Sequence, residues 1–197
     1  MQARKKWIAS ALAASAVVAT VQSTGAASVV AQARAAAPSV PIVVKSGWSG
    51  RGDYISATCP QGTTLVGGGH DSQPVVSSLG HVLDEQTADA PSPDEPNSWF
   101  IRRLAGRSQA YAMCSPASST PPIVVASDWS DPGEYISATC PEGTQLVGGG
   151  FDSRPYLNGF GNSLDDLDAN APSGDEPNSW FTKQHRGTSR AFAMCAQ

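Results

Sequence analysis

Charged residues are scarce in this sequence. Asp, Glu, Lys and Arg make up 15% of the 197 residues, against about a quarter in an average soluble domain. That deficit argues against a helical bundle or coiled coil, whose outer faces are charged. There are only three histidines and four cysteines. No second long apolar run follows the N-terminal one, which excludes a polytopic membrane protein. Basic residues are few where they would matter. Arg4, Lys5, Lys6 and Arg34 precede Pro38, whereas all 17 acidic residues follow it, leaving 9 basic against 17 acidic and a net charge of −8 over 38–197. A broad basic face for nucleic acid is thereby disfavoured. Glycine and proline, in contrast, are abundant at 19 and 15 residues, well above the roughly 12% expected for the pair. With 40% hydrophobic residues, too many for a wholly disordered chain, the composition predicts a turn-rich, all-β protein.

Residues 1–37 differ from the rest. Arg4, Lys5 and Lys6 form a basic start, Trp7 to Val21 is rich in Ala and Val, and small-residue sites follow at Ala31-Gln32-Ala33 and Ala35-Ala36-Ala37. This is the pattern of a secretory signal peptide with a short leader. The expectation is a secreted, extracellular product that is free of the membrane after cleavage.

The remainder is one unit written twice. Pro41 to Ser115 aligns with Pro122 to Ala196 at a constant offset of 81 without a gap, with 45 of 75 positions identical. A tandem duplication follows. The organisation is a first repeat at 38–115, a Pro/Ser linker at 116–121 and a second repeat at 122–197. Each repeat reads as short strands separated by turns: Pro41 to Val44, Tyr54 to Cys59, Thr63 to Val66, a strand opening at Trp99-Phe100-Ile101, and Gln109 to Cys114. The last strand is apolar on both faces, which predicts a central strand covered on both sides. The stretches Asp84 to Asn97 and Asp165 to Asn178 read as acidic, Pro-rich loops outside the core.

A repeat of about 75 residues buries a marginal core, the situation in which small secreted domains use disulfides. Of the three possible connectivities, the one that respects the duplication is Cys59 with Cys114 and Cys140 with Cys195. A zinc site lacks the close Cys or His spacing it requires, and no cofactor motif is present.

Each repeat carries Cys-Pro-x-Gly-Thr-x-Leu-Val-Gly-Gly-Gly, a polar loop, Asn-Ser-Trp-Phe, and Ala-[Tyr/Phe]-Ala-Met-Cys. This order resembles a tandem repeat of secreted actinobacterial proteins of unassigned function, over essentially all of 38–197. It is more distantly similar to the repeats of the vitelline membrane outer layer protein I family, a β-prism with three copies where this chain has two. The resemblance implies a disulfide-stapled β module outside the cell, with a turn at Gly-Gly-Gly, and carries over no catalytic residue.

Candidate chemistry can be tested by asking what occurs twice. His70, His81 and His185 each occur in one repeat only, and no Gly-x-Ser-x-Gly elbow accompanies them, so a nucleophilic triad is not indicated. Asp84-Glu85, Asp94-Glu95, Asp165-Asp166 and Asp175-Glu176 are paired carboxylates of the kind a glycosidase needs across a cleft, but adjacent acids beside prolines are ordinary turn chemistry. Asp165, Asp166 and Asp168 form a weak calcium candidate, because Asp166-x-Asp168-x-Asn170 imitates the start of an EF-hand loop but has Ala171 and Pro177 where Gly and Glu belong. Arg51-Gly52-Asp53 spells an integrin tripeptide, but the second repeat reads Pro132-Gly133-Glu134, as suits a turn. Trp99 and Trp180, with Arg102, Arg103, Lys183 and Arg186 beyond them, are the candidate binding residues, either stacking and pairing with a ligand or packing and pairing within the module.

The expectation is a non-enzymatic, extracellular structural or binding protein whose partner is a cell-wall polymer, a glycan or another extracellular protein. Two other readings stay open. One is a secreted protease inhibitor presenting Ala88 to Asn97, stiffened by Pro91, Pro93 and Pro96. The other is a secreted hydrolase built on Asp94 and Asp175.

Overall fold

The computed structural model describes residues 40–116 and 120–197. Residues 1–39, which include the stretch read as a signal peptide, and residues 117–119 lie outside the described residues. The first repeat forms β1 (Ile42–Lys45), β2 (Ile55–Thr58), β3 (Thr63–Gln73), β4 (Gln86–Pro91), β5 (Ser98–Arg103) and β6 (Arg107–Pro116). The second forms β7 (Ile123–Ala126), β8 (Ile136–Thr139), β9 (Gln145–Arg154), β10 (Leu167–Pro172), β11 (Ser179–Gln184) and β12 (Thr188–Ala196). The described residues are all-β.

Within each repeat the strands make two antiparallel ribbons of three. In the first these are β1-β6-β3 and β2-β5-β4; in the second they are β7-β12-β9 and β8-β11-β10. The two ribbons of a repeat pack face to face, β6 against β2 and β5, and β12 against β8 and β11. Between their inner faces lie Ala57, Leu65, Trp99, Ile101, Ala110 and Ala112 in the first repeat, and Ala138, Ala191 and Ala193 in the second. Such small residues bring the sheets close together. The repeats join at one seam, where β4 pairs antiparallel with β9, Ala88 opposite Asp152 and Asp89 opposite Phe151. Two ribbons thereby become one six-stranded sheet, β2-β5-β4-β9-β12-β7, and Pro38–Gln197 is one compact unit.

Two features differ from the sequence reading. The stretch Asp84 to Asn97 is not wholly outside the core, because β4 runs through it with Thr87, Ala88 and Ala90 fully buried. Gly67-Gly68-Gly69 is not a turn, because β3 continues straight through it to Gln73. The Trp99 ring lies directly over Gly68, and the Trp180 ring over Gly149, where any side chain would collide with the indole and with the opposing strand. Here glycine makes room for a packed aromatic within a strand.

Disulfides tie the ribbons together. Cys59, just after β2, is bonded to Cys114 on β6, and Cys140 to Cys195 on β12, each closing 55 residues. In the chain-entropy treatment each contributes about 4 kcal/mol. Asn97 and Asn178 form a second, non-covalent clamp. Each takes a left-handed φ, 64° and 63°. The Asn97 side chain accepts from Leu65 N at 2.7 Å and donates to Thr63 O at 2.9 Å, while its carbonyl accepts from Cys59 N at 2.9 Å. Asn178 makes the same three bonds to Leu146, Thr144 and Cys140. One residue thus replaces a missing strand partner, and asparagine is among the few non-glycine residues that tolerate this backbone.

Asn178→Ala is expected to lower unfolding free energy by about 3 kcal/mol, two half-buried hydrogen bonds plus the left-handed penalty. Asn178→Gly should recover only the backbone part. Urea denaturation of the three proteins checks this, and equal stability of the Ala and Gly variants would remove the conformational component.

Candidate functional site

Each repeat builds the same open cleft. In the first it is about 250 Å³ and is lined by Tyr54, Ser56, Phe100 and the turn Ser92-Pro93-Asp94-Glu95, with Arg190 reaching in from the second repeat. In the second it is about 310 Å³ and is lined by Tyr135, Ser137, Phe181 and Ser173-Gly174-Asp175-Glu176. Apart from Arg190 and the exchange of Pro93 for Gly174, the linings match residue for residue.

The floor is aromatic. The Tyr54 and Phe100 rings stand 5.9 Å apart and tilted, as do Tyr135 and Phe181 at 5.8 Å. Phe100 and Phe181 are set by β5 and β11, and the two tyrosines stand just ahead of β2 and β8. A cation lies over each tyrosine, Arg102 over Tyr54 and Lys183 over Tyr135, both 4.9 Å from the ring centre. The rim is a short turn between the last two strands of a ribbon. Ser92 Oγ accepts from Glu95 N at 2.9 Å, and Ser173 Oγ from Glu176 N at 2.9 Å. These bonds hold the turn while Asp94, Glu95, Asp175 and Glu176 stand in solvent. The two acids of each turn are neighbours on one side of the cleft. The combination offers an apolar ring face, serine hydroxyls and carboxylate acceptors to a ligand with hydroxyl or amino donors.

Electrostatics distinguish the two clefts. Behind the first lies Asp152, almost fully buried in the seam, with Arg190 Nη2 at 3.0 Å and the Tyr54 hydroxyl donating to it at 3.1 Å. Burial, opposed by Arg190 and Tyr54, pushes the Asp152 carboxyl above the ordinary value. Burial and the Asp152 charge likewise raise Tyr54, which keeps its phenolic proton at neutral pH. Glu85, at the other end of the seam, accepts from Gln184 Nε2 at 2.6 Å and from the Ser163 hydroxyl, and burial raises it too.

The candidate residues of the sequence are distributed as follows. Trp99 is buried, its Nε1 donating to Asp89 at 2.5 Å; Trp180 is half-buried, with Nε1 donating to Asn170 at 2.6 Å. Neither lines a cleft. Arg102 donates to Gly52 O at 2.8 Å and Arg103 to Asp84 at 2.8 Å, Lys183 pairs with Asp168 at 3.4 Å, and Arg186 lies over the Tyr156 ring at 5.9 Å. Asp165 spends both carboxylate oxygens on backbone donors, including Tyr156 N at 2.8 Å and Arg186 N at 2.7 Å. Asp84 is held in the same way by Ala105 N and Val75 N. There, burial is outweighed by bonds from Arg103 and these amides, so its carboxyl sits below the ordinary value. Asp168 faces His185 and Lys183, which hold it low. Asp165, Asp166 and Asp168 do not converge, and among the described residues no three His, Cys, Asp or Glu side chains gather as a metal-binding group. Gly52 and Gly133 both have positive φ, so the Arg51-Gly52-Asp53 stretch is a turn shared by both repeats. Of the stretch Ala88 to Asn97, only Pro93 to Pro96 is exposed.

The cleft tyrosines, phenylalanines and serines were not singled out in the sequence. The available signal was their identity in both repeats, at Tyr54/Tyr135, Ser56/Ser137 and Phe100/Phe181.

The raised carboxyls of Asp152 and Glu85 bind protons more readily folded than unfolded, so stability should rise as pH falls through their folded values, until about pH 4, the ordinary carboxylate range. Asp84 has the opposite sign, and its contribution should be lost as pH falls further, through its depressed folded value. Urea melts between pH 3 and 7 should therefore peak near pH 4; Asp152→Asn should flatten the neutral-side rise, and Asp84→Asn the acid-side fall. Comparison of the chain with protein-family models, curated proteins and solved structures finds no match.

Proposed function

We propose that this is a secreted, non-enzymatic protein that binds glycan or cell-wall polysaccharide through its two clefts. The observation that carries this reading is the duplication of one lining: a tyrosine and a phenylalanine as floor, two serines, and an Asp-Glu rim, at the same positions of both repeats. An aromatic face beside hydrogen-bond acceptors suits a sugar ring, whose apolar side stacks while its hydroxyls donate. The acidic rim favours neutral or amino-sugar polymers over anionic ones at this net charge. The two disulfides fit an oxidising compartment, and the signal-like segment 1–37 supports secretion as the route. No helix among the described residues is long and apolar enough to cross a membrane. The linkage of two weak sites on one compact unit raises retention on a repetitive polymer beyond that of either alone.

The test is depletion of the purified protein from solution by insoluble peptidoglycan, chitin and cellulose. The oxidised protein should be retained by at least one. The variant carrying Asp94→Asn, Glu95→Gln, Asp175→Asn and Glu176→Gln, whose changes are on exposed side chains, should lose retention about tenfold or more, the scale of one charged hydrogen bond. Retention by none of the three, or equal retention of the variant, overturns the proposal.

A further inference from the structure

The seam between the repeats is heterologous: it joins the β4 edge of the first repeat to the β9 edge of the second. At the offset of 81, the counterpart of β4 is β10 and that of β9 is β3. Both of these are sheet edges with no partner on their outer side among the described residues. The chain thus repeats inside itself one half of a junction whose other half it leaves open at each end.

The open halves keep the seam's chemistry. Gly150 in β9 lies against the backbone of Asp89 and Ala90 so closely that no side chain fits. Its counterpart Gly69 in β3 has nothing within 4 Å of the place a side chain would occupy. No contact within the described chain requires glycine there. Ala88 and Ala90, buried in the seam, have counterparts in Ala169 and Ala171, which are only half-buried. Met194, on the face of β12 that the first repeat covers, is 1% exposed; its counterpart Met113 is 41% exposed. Phe192 is fully buried against Ala88, Ala90 and Phe100, whereas Tyr111 in its place is half-exposed.

Charge is complementary as well. In the seam the Tyr54 hydroxyl and the Arg102 charge face Asp152; Tyr135 and Lys183 would face Asp71. Gln184 donates to Glu85 at 2.6 Å; in the open halves Arg103, which is already paired with Asp84 in its own repeat, stands in place of Gln184, and Asp166 in place of Glu85. An edge strand with free N–H and C=O groups is a ready site for another strand.

We propose that the protein self-associates head to tail, β10 of one molecule adding to β3 of the next in the register of the seam, with Ala169 opposite Asp71 and Asn170 opposite His70. The second cleft, which lacks a counterpart of Arg190, then receives Gln109 from the neighbouring molecule. Because the contact is heterologous, each molecule keeps one edge of each kind, and the product is a ring or an open filament according to the rotation per step.

Light scattering across a concentration series tests this, combined with disulfide trapping. The purified protein is expected to reach the mass of two chains or more as concentration rises. Gly69→Val should stay at one chain, with unchanged circular dichroism and melting temperature. Gly150→Val, which places the same bulk in the internal seam, should instead lower the melting temperature. His70→Cys and Asn170→Cys proteins, mixed under oxidising conditions, should yield a covalent pair containing one of each. A single-chain mass at every concentration, association of Gly69→Val equal to that of the parent, or absence of the mixed pair would each overturn the proposal.

Discussion

The β4 backbone lies against β9 only because residue 150 carries no side chain. That single close approach decides how the two repeats are arranged. It allows the Ala88–Asp152 and Asp89–Phe151 pairing, which aligns Phe100 edge-on to Phe192 at 5.4 Å and closes the first repeat over the outer face of β12. Phe192 and Met194 are buried for this reason, and their counterparts Tyr111 and Met113 are not. Two halves with the same strands therefore have different surfaces. The difference arises mostly from position in the assembly, since the strands themselves match.

Burying the seam also buries charge. Asp152 and Glu85 are both inside it, and an isolated carboxylate there would cost several kcal/mol. Each is answered by polar groups from across the seam, Tyr54 for Asp152 and Ser163 and Gln184 for Glu85. Arg190 completes the set from within the second repeat. The bonds run in both directions between the repeats, so a shift of register would leave donors and carboxylates unmatched in a low-dielectric site. Hydrophobic contact among small alanines is not directional; the carboxylates supply the registration.

Much of the fold is legible in the sequence because the duplication acts as a control. The all-β class and both disulfides follow from residues that occur twice. What escaped was β4. Gln86-Thr87-Ala88-Asp89-Ala90-Pro91 has little β-propensity and two acids' worth of polarity nearby, so it reads as loop. It becomes a buried strand because, paired with β5 across a short turn on one side, it meets β9 of the second repeat on the other, and pattern within a short window carries no trace of β9. The turn that the resemblance implies at Gly-Gly-Gly is instead a stretch of strand, where at Gly68 and Gly149 the use of glycine is the absence of a side chain under an indole. The two tryptophans drew attention as ligand platforms by their size, and size is also what suits Trp99 to the core.

The seam and the first cleft share Tyr54, Phe100 and Arg190. Tyr54 forms part of the cleft floor and at the same time bonds Asp152 through its hydroxyl; Arg190 lines the cleft and neutralises the same carboxylate. Any ligand that draws Arg190 toward itself leaves Asp152 less compensated, whereas one that leaves the Asp152–Arg190 pair intact meets a floor already held rigid. The second cleft has no such coupling: Tyr135 has no carboxylate bonded behind it among the described residues, and Lys183 is shared with Asp168 alone. Preorganisation lowers the cost of binding, so matching linings do not imply matching affinities. The first cleft is fixed by the fold of the whole unit, and the second by its own repeat.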